Sequence, residues 1–451
     1  MKVVQAIGWY FPDSLGGTEV YVAELCRQLR AAGHTALVGA PAPGEAAERA
    51  YVHDGVSVYR YPIPQRPTRD EVQGRVVTRG AERFHAWLHE QRPDVVHFHT
   101  FVTGMGLAEA QAAKAAGARV IVTTHSSSLG YICQRGTLMR WGESLCDGIC
   151  LPRKCAACEL QRRGLPKAVA KLVGAIPPAL GGLARTVPGG LGSALAMSEL
   201  IAHNQAQQRA LVATADRFVV LTRWALDAVA ANGAPRAKLA LNRLGCASSA
   251  LQRKPGPEYQ PTTMPIRVGY VGRFDAIKGV HDLARAAAAL PKDVDVRIEF
   301  RGPVRDDKER SVVNELKAIV AVDSRVTFAP PVAPEDVAGV LSGYDVLCCP
   351  SVCLEGGPTV AIEAHAVGTP VVGTRIGGLS ELITDGVTGC LVAPGDWQAL
   401  AAALHSIAAA PDVTIDRWRR ALPPARTMNE VAAEYLRLYA APGAAAAHTM
   451  H

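Results

Sequence analysis

Apolar positions alternate between two periods along most of the chain. Short runs of near-continuous Val, Ile, Leu and Phe predict buried strands, and apolar residues at three- and four-residue spacing predict helices. V-V-Q-A-I (3–7) reads as a strand. The loop G-W-Y-F-P-D-S-L-G-G (8–17) follows, then a helix from about 18 to 32 that Gly33 stops. Further strands are predicted at 35–40, 56–61, 93–99, 119–124 and 217–222, with helices near 78–91, 106–116 and 224–231. A second series places strands at 266–272, 294–300, 326–328, 345–349, 370–374 and 390–392. Helices are expected at 278–290, 307–319, 334–342, 378–384 and 396–409, with a last one from about 429 to 440. Strand and helix in alternation predict parallel sheets with crossover helices.

The series divide the chain. A first α/β domain is expected over 1–243, with an insert at about 126–215 where the alternation breaks. The insert holds a cysteine cluster, an apolar Pro/Gly-rich stretch and a helix near 194–213. Residues 244–263 have linker composition. A second α/β domain is expected over 264–425, a C-terminal helix crossing back to the first domain over 426–443, and a disordered Ala-rich tail over 444–451. Ligands bind beyond the carboxyl ends of parallel strands, so the expected site is the cleft where two such sheets face each other.

Composition narrows the partners. Lys and Arg number 48 against 41 Asp and Glu, a net charge of +7. That suits an anionic small molecule or an acidic membrane surface and is too weak to argue for nucleic acid. Met1-Lys2 runs straight into the first strand without a signal peptide, and no run reaches the ~20 apolar residues that span a bilayer. A cytoplasmic chain, peripheral at most to the inner face of a membrane, is expected. Of eleven cysteines, five (Cys133, Cys146, Cys150, Cys155, Cys158) fall within 26 positions, which is not a secreted disulfide framework. Four thiolates around one ion make a closed structural site, and a fifth is spare. A zinc ion, an iron–sulfur cluster and unligated thiols all stand as readings. The stretch 162–197 sets Arg162, Arg163, Lys167 and Lys171 ahead of an apolar segment broken by Pro and Gly. It reads either as a membrane-interface segment beside anionic lipid or as a cover on the first domain.

The richest chemistry lies at 349–390. The strand ending at Cys349 meets a loop with Glu355 and the pair Gly356-Gly357, Pro358 opens a helix carrying Glu363, and Gly368 closes it. The loop offers a carboxylate, glycine amides that a ligand approaches closely, and a helix N-terminus that favours anions. Glu355 and Glu363 read either as general acid and base or as acceptors for sugar and ribose hydroxyls. Arg273 and Lys278 follow the strand at 266–272 and suit a diphosphate. Gly16-Gly17-Thr18 follows the first strand without a G-x-G-x-x-G fingerprint, which removes support for nicotinamide or flavin. His125 sits at a strand end facing the expected site. His97 and His99 share one strand face and read as packing or loop anchors. Asp293-Val294-Asp295 lies at the wrong end of its strand for a metal at the reaction centre.

At these residues the chain resembles glycosyltransferase family 4, the nucleotide-sugar-dependent retaining transferases with the GT-B fold. The resemblance covers about 1–125 and 210–440. It rests on G-G-T-E-V-Y-V-A-E-L (16–25), P-D-V-V-H-F-H (93–99), V-G-R-F-D-A-I-K-G (271–279), E-G-G-P-T-V-A-I-E-A (355–364) and G-T-P-V-V-G-T-R-I-G-G-L-S-E (368–381). It implies two Rossmann-like parallel-sheet domains, a nucleoside-diphosphate sugar donor, an acceptor that is a glycan, a lipid-linked or a small molecule, and no cofactor at the reaction centre. By position, Arg273 and Lys278 match the diphosphate-binding pair that stabilises the leaving group. Glu355 matches the first motif Glu near the transferred sugar, and Glu363 the second, on the ribose hydroxyls. Gly17 matches the loop that approaches donor phosphate and acceptor, and His125 a histidine on the donor sugar. The insert resembles cysteine-bearing inserts in some bacterial members, whose pattern matches Cys133, Cys146, Cys155 and Cys158 and leaves Cys150 spare.

Three departures stand out. The loop reads Glu-Gly-Gly-Pro where many members have Glu-Gly-Phe-Gly. R-G-P-V (301–304) replaces the usual glycine-x-glycine, and L-N-R-L-G-C (241–246) replaces Asn-Gly-Val-Asp. The expected activity is sugar transfer to an acceptor hydroxyl in bacterial polysaccharide, lipopolysaccharide or glycoconjugate synthesis. The alternatives are a sugar-nucleotide 2-epimerase-like isomerase and a non-catalytic nucleotide-sugar-binding subunit of the same fold.

Overall fold

The computed structural model describes residues 1–14, 16–126, 128–246, 265–321, 323–354 and 356–440. Most of the expected linker, and the whole of the expected tail, lie outside the described residues. The chain forms two compact units. One comprises Met1–Arg243 with the chain from Asn429 onward, and the other Leu244–Met428.

Unit 1 contains β1 (Lys2–Ala6), β2 (Thr35–Pro43), β3 (Arg49–His53), β4 (Val56–Ile63), β5 (Val95–Phe98), β6 (Arg119–Thr124), β7 (Met139–Arg140), β8 (Ser144–Leu145), β9 (Arg217–Val220) and β10 (Leu239–Leu241). Eight of these make one sheet in the order β10-β9-β6-β5-β1-β2-β4-β3. Every pairing in it is parallel except β3 with β4. The central strand β5 is buried along its whole length, and β1 and β6 at all but their first residues, so they need no alternation and read as apolar runs. The antiparallel edge β3 was not apparent in the sequence. Its residues R-A-Y-V-H are half or fully exposed, as an edge strand allows.

The insert differs from expectation. Its prolines start helices rather than break them. Pro152 is the first residue of helix Pro152–Arg162, Pro166 caps Lys167–Gly174, Pro177 caps Pro178–Leu183, and Pro188 caps Gly189–Leu195. Proline's fixed φ suits a helix start, where its missing N–H costs nothing. β7 and β8 form a separate antiparallel hairpin among the cysteines.

The C-terminal helix Met428–Ala440 belongs to unit 1, where Tyr435 and Tyr439 are buried. The Tyr435 hydroxyl meets Thr123 Oγ1 at 2.9 Å and accepts from Tyr21 at 3.1 Å. Tyr439 meets His97 Nδ1 at 2.7 Å, and His97 Nε2 meets Thr123 Oγ1 at 2.7 Å. His99 joins Gln5 (2.6 Å) and His125 (3.0 Å). The two strand histidines are buried, satisfied core groups, which is the packing role their alternation suggested.

Unit 2 contains β11 (Ile266–Val271), β12 (Val296–Arg301), β13 (Val326–Ala329), β14 (Val346–Cys349), β15 (Val371–Thr374) and β16 (Gly389–Val392). They form one wholly parallel sheet in the order β13-β12-β11-β14-β15-β16. The order reverses between β11 and β14, so loops leaving these neighbours diverge and open a crevice at their carboxyl ends. Asp306 and Asp396 cap the flanking helices Asp307–Val320 and Trp397–Ala409, each accepting from a backbone N–H at 2.8 Å. Helix Pro411–Ala421, not expected from the sequence, buries Ile415 and Trp418.

Burial holds His97 and His99 well below the ordinary histidine value and brings His125 down to about 4. The unfolded chain takes up protons near pH ~6.5 that the folded chain refuses. The resulting stability is therefore full above that pH and is lost as pH falls toward about 4. The melting temperature should drop steadily between about pH 7 and pH 5, and His125→Asn should flatten that slope. A pH-independent melting temperature over this range would refute the buried neutral cluster.

Candidate functional site

The loops at the carboxyl ends of β11, β14 and β15 are locked together through backbone. After β11, Gly272 N–H donates to the Arg301 carbonyl (3.0 Å), and the Tyr270 hydroxyl donates to the Arg273 carbonyl (2.6 Å). Asp275 accepts from Ile277 N–H (3.2 Å) and caps a single 3-10 turn at Ala276–Lys278. Val352 N–H donates to the Ile277 carbonyl (2.9 Å), which ties this loop to the one after β14. Gly279 has φ +70°, and a Cβ there would overlap the Pro350 carbonyl oxygen. The β14 and β15 loops touch in the same way. Gly357 has φ +117°, and a Cβ on Gly378 would stand 2.6 Å from its Cα and its amide nitrogen. These glycines are required by conformation and by space.

This frame sets Arg273, exposed, and Lys278, half-exposed, in the loop after β11, and Gly356 and Gly357 in the loop after β14 to which it is tied. Arg273 lies near enough to Glu309 to help lower its carboxyl pKa, after the larger effect of the Arg305 hydrogen bond. Glu363 is in the second turn of helix Thr359–Ala366. It is half-buried, and burial raises its carboxyl pKa. Its carboxylate makes no hydrogen bond or ion pair among the described residues. An ionisable group buried without a partner is costly to the fold and is a mark of a ligand site. Glu355, the first carboxylate of the motif, lies outside the described residues.

At the strand ends of unit 1 the structure places Gly17 and His125. Gly17 begins helix Gly17–Ala31, and a Cβ on it would meet nothing within 4 Å, so packing does not explain the glycine. His125 follows β6. It is partly exposed, and its ring packs edge-on to Tyr21 at 4.8 Å. Its lowered pKa makes it a neutral imidazole at pH 7, able to take part in hydrogen bonds without carrying charge.

A larger cavity of unit 1, about 680 Å³, was not apparent in the sequence. It is lined by segments following β4, β5 and β6 and by helix Met197–Thr214. Glu109, Tyr131, Gln134, Asn204 and Gln207 give it polar walls, while Phe101 and Leu200 give it apolar ones. Its signal was the polar run N-Q-A-Q-Q (204–208), whose Asn204, Gln207 and Gln208 are buried. His365 carries no such signal in the sequence. It is buried in the Glu363 helix with both ring nitrogens unpartnered, and burial brings its pKa down to about 4.

All five insert thiols line one small cavity between the β7–β8 hairpin and helix Pro152–Arg162. Cys158 Sγ accepts from Trp141 N–H at 3.3 Å. A hydrogen bond from Cys150 brings the Cys155 pKa down to about 7 and pushes that of Cys150 far up. As the side chains are placed, no three His, Cys, Asp or Glu among the described residues form a set that would hold a metal ion. The donor set therefore converges without closing into the four-ligand arrangement of Cys133, Cys146, Cys155 and Cys158.

Residues 16–245, half of the chain, match the family described as glycosyl transferase 4-like domain. The chain belongs to that family. Residues 265–410 of this glycosyltransferase chain match a second model, glycosyl transferases group 1. Among curated proteins it is similar to D-inositol 3-phosphate glycosyltransferases. That of Corynebacterium urealyticum is 38% identical over 153 residues, 33% of this chain and 36% of that protein. That of Mycobacterium sp. (strain KMS) is 40% identical over 139 residues, 29% and 30% of the two. The match thus spans about a third of these relatives. Among solved structures, sucrose-phosphate synthase from Thermosynechococcus elongatus aligns with TM-score 0.62 and 21% identity over 97% of this chain and 98% of that one. Anabaena HepE in complex with UDP aligns with TM-score 0.61 and 16% identity over 97% and 99%. At these identities the likeness shows the fold, which is GT-B: two Rossmann-like parallel-sheet units.

Glu363→Gln separates a binding group from a structural one. Burial raises the folded pKa of the carboxyl, so the ionised form is penalised in the fold above that pKa. Removing the charge should leave the melting temperature of the unliganded glycosyltransferase chain at pH 7 unchanged or higher. The rise produced by a bound nucleotide should shrink. A fall in the unliganded melting temperature would mean that the carboxylate holds the fold together.

Proposed function

We propose that the protein is a retaining glycosyltransferase of family 4 that moves a sugar from a nucleoside-diphosphate sugar to an acceptor hydroxyl. The supporting observation is the placement of Arg273, Lys278, Gly356 and Gly357 beyond the carboxyl ends of the adjacent strands β11 and β14, with Glu363, which has no partner among the described residues, on the helix that follows. That constellation suits a molecule with a diphosphate and a vicinal diol. The guanidinium and ammonium neutralise the diphosphate, and the neighbouring glycine amides admit it closely. Glu363 accepts from the ribose hydroxyls, a gain that offsets the cost of burying it. The reading favours a uridine nucleotide because HepE was solved with UDP and with UDP-glucose.

In the reaction, the bond from the anomeric carbon to the diphosphate oxygen breaks and the oxygen keeps the electron pair. Charge grows on that oxygen as it leaves, so Arg273 and Lys278 bind the transition state more tightly than the ground state. The acceptor oxygen bonds to the anomeric carbon from the face the diphosphate leaves, and its proton passes to the departing phosphate. Neutral His125 and the amide of Gly17 would serve the donor sugar and its phosphate. The cavity of unit 1 would take the acceptor, a glycan or glycoconjugate precursor whose hydroxyls suit Asn204, Gln207 and Glu109.

Arg273→Ala and Lys278→Ala should each lower sugar transfer and donor hydrolysis by about 100-fold or more, since each removes a charge aimed at the leaving group. The UDP-induced rise in melting temperature should shrink in both. Full activity in both variants would sink this role for the pair. A product isomerised at the sugar, with no transfer, would sink the transferase reading.

A further inference from the structure

The insert carries surface chemistry that sugar transfer alone does not require. From Gln161 to Ser198 there are five Lys or Arg residues and no Asp or Glu. Within the same stretch Leu172, Leu183 and Leu191 are 76%, 75% and 68% exposed, on or beside three short helices. An exposed leucine on its own is ordinary, but a group of them this exposed is not. The cations do have neighbours. Arg162 and Arg163 pair with Glu159 (2.6 and 2.8 Å), Lys167 with Glu143 (2.6 Å) and Arg185 with Asp70 (3.0 Å). All five cations lie at the surface, where such pairs are worth little and exchange readily for other anions. Lys171 and Arg140 both lie 6.0 Å from the ring of Trp141.

The unit 1 cavity adjoins this surface. Arg163 and Ser193 of the insert line it, as do Val72, Val76 and Val77, which are themselves half-exposed or more. Arg69 Nη1 donates to the Arg185 carbonyl (3.3 Å) and Arg185 reaches Asp70, so the valine segment is fastened to the insert. A polar cavity thus has exposed apolar side chains and cations beside it.

We propose that the insert face, Leu172, Leu183 and Leu191 with Lys167 and Lys171, docks on the surface of an anionic phospholipid bilayer, and that the adjoining cavity receives the polar head of a lipid-anchored acceptor. The occupant follows from the charge. A stretch that carries Lys and Arg and no acid of its own around exposed leucines, with surface ion pairs that exchange readily, complements lipid phosphate over hydrocarbon. No helix among the described residues is long and apolar enough to cross a membrane, so the contact is interfacial. The acceptor half of the inference rests on the assignment of the cavity above; the docking half does not.

The test is co-sedimentation of the full chain with vesicles of phosphatidylcholine alone and of equal parts phosphatidylcholine and phosphatidylglycerol. The chain should pellet with the anionic vesicles and do so less at high salt, because surface charge is screened. Leu172→Ser/Leu183→Ser/Leu191→Ser should weaken binding about tenfold or more, since three exposed leucines lose their transfer into lipid. Its melting temperature should stay close to that of the parent, because the sites are exposed. Lys167→Glu/Lys171→Glu should weaken binding to the anionic vesicles alone. A parent that stays in the supernatant with anionic vesicles would overturn the proposal, as would equal binding by parent and triple variant. A concentration-dependent dimer that the triple variant abolishes, without vesicle binding, would assign the face to a second copy instead. UDP-induced stabilisation, read without vesicles, fails or holds independently, so loss of docking is distinguishable from failure of the nucleotide-sugar reading.

Discussion

Backbone-to-backbone contact at the carboxyl ends of the unit 2 strands is the constraint on which the candidate site depends. Parallel strands leave one sheet edge with their loops pointing the same way, but they do not by themselves bring those loops together. Here Gly279 lies against the Pro350 carbonyl, Gly302 against the Gly272 carbonyl, and Gly378 against Gly357. Any side chain at these positions would force the loops apart or clash with a carbonyl that cannot move away cheaply. The same glycines therefore bring Arg273, Lys278 and Glu363 to one end of the sheet. The site's charges sit on a frame held by main-chain contact, and Glu363 has no partner among the described residues.

Unit 1 solves the complementary problem of burying polar groups. Tyr439, His97, Thr123, Tyr435 and Tyr21 form a continuous set of hydrogen-bonded side chains at 2.7–3.1 Å, and His99, bonded to Gln5 and His125, packs its ring against His97. Their cost of burial is offset only because each finds a partner, and two of those partners arrive from the far end of the chain. The C-terminal helix is thus part of the unit 1 core. His125, partly exposed, is hydrogen-bonded to His99, so the strand-end imidazole is oriented by the buried ring behind it.

Much of this was legible in order along the chain. Strands such as β5 and β14 are short apolar runs whatever they pair with, and Gly-Gly beside Glu and Pro marks a ligand loop before any coordinate is known. What stayed hidden has physical causes. β3 is an exposed edge, so no buried face imprints a pattern on R-A-Y-V-H. The insert's prolines read as breakers because a proline that starts a helix and one that ends it look alike until the following hydrogen bonds are known. The polar cavity was hidden because Asn204 and Gln207 read as ordinary solvated helix residues.

The sequence by itself determined the two parallel sheets, the alternating helices and the types of group at each strand end, because period and glycine placement are local properties that the backbone obeys. Tertiary structure alone decided which groups meet. It paired Tyr439 with His97 across the length of the chain, and it left Glu363 half-buried without a partner among the described residues. It also drew five thiols to one cavity without closing them into a ligand set, and turned the insert's leucines outward. Burial, hydrogen-bond satisfaction and approach distance belong to pairs of residues remote in sequence, and no single segment carries them.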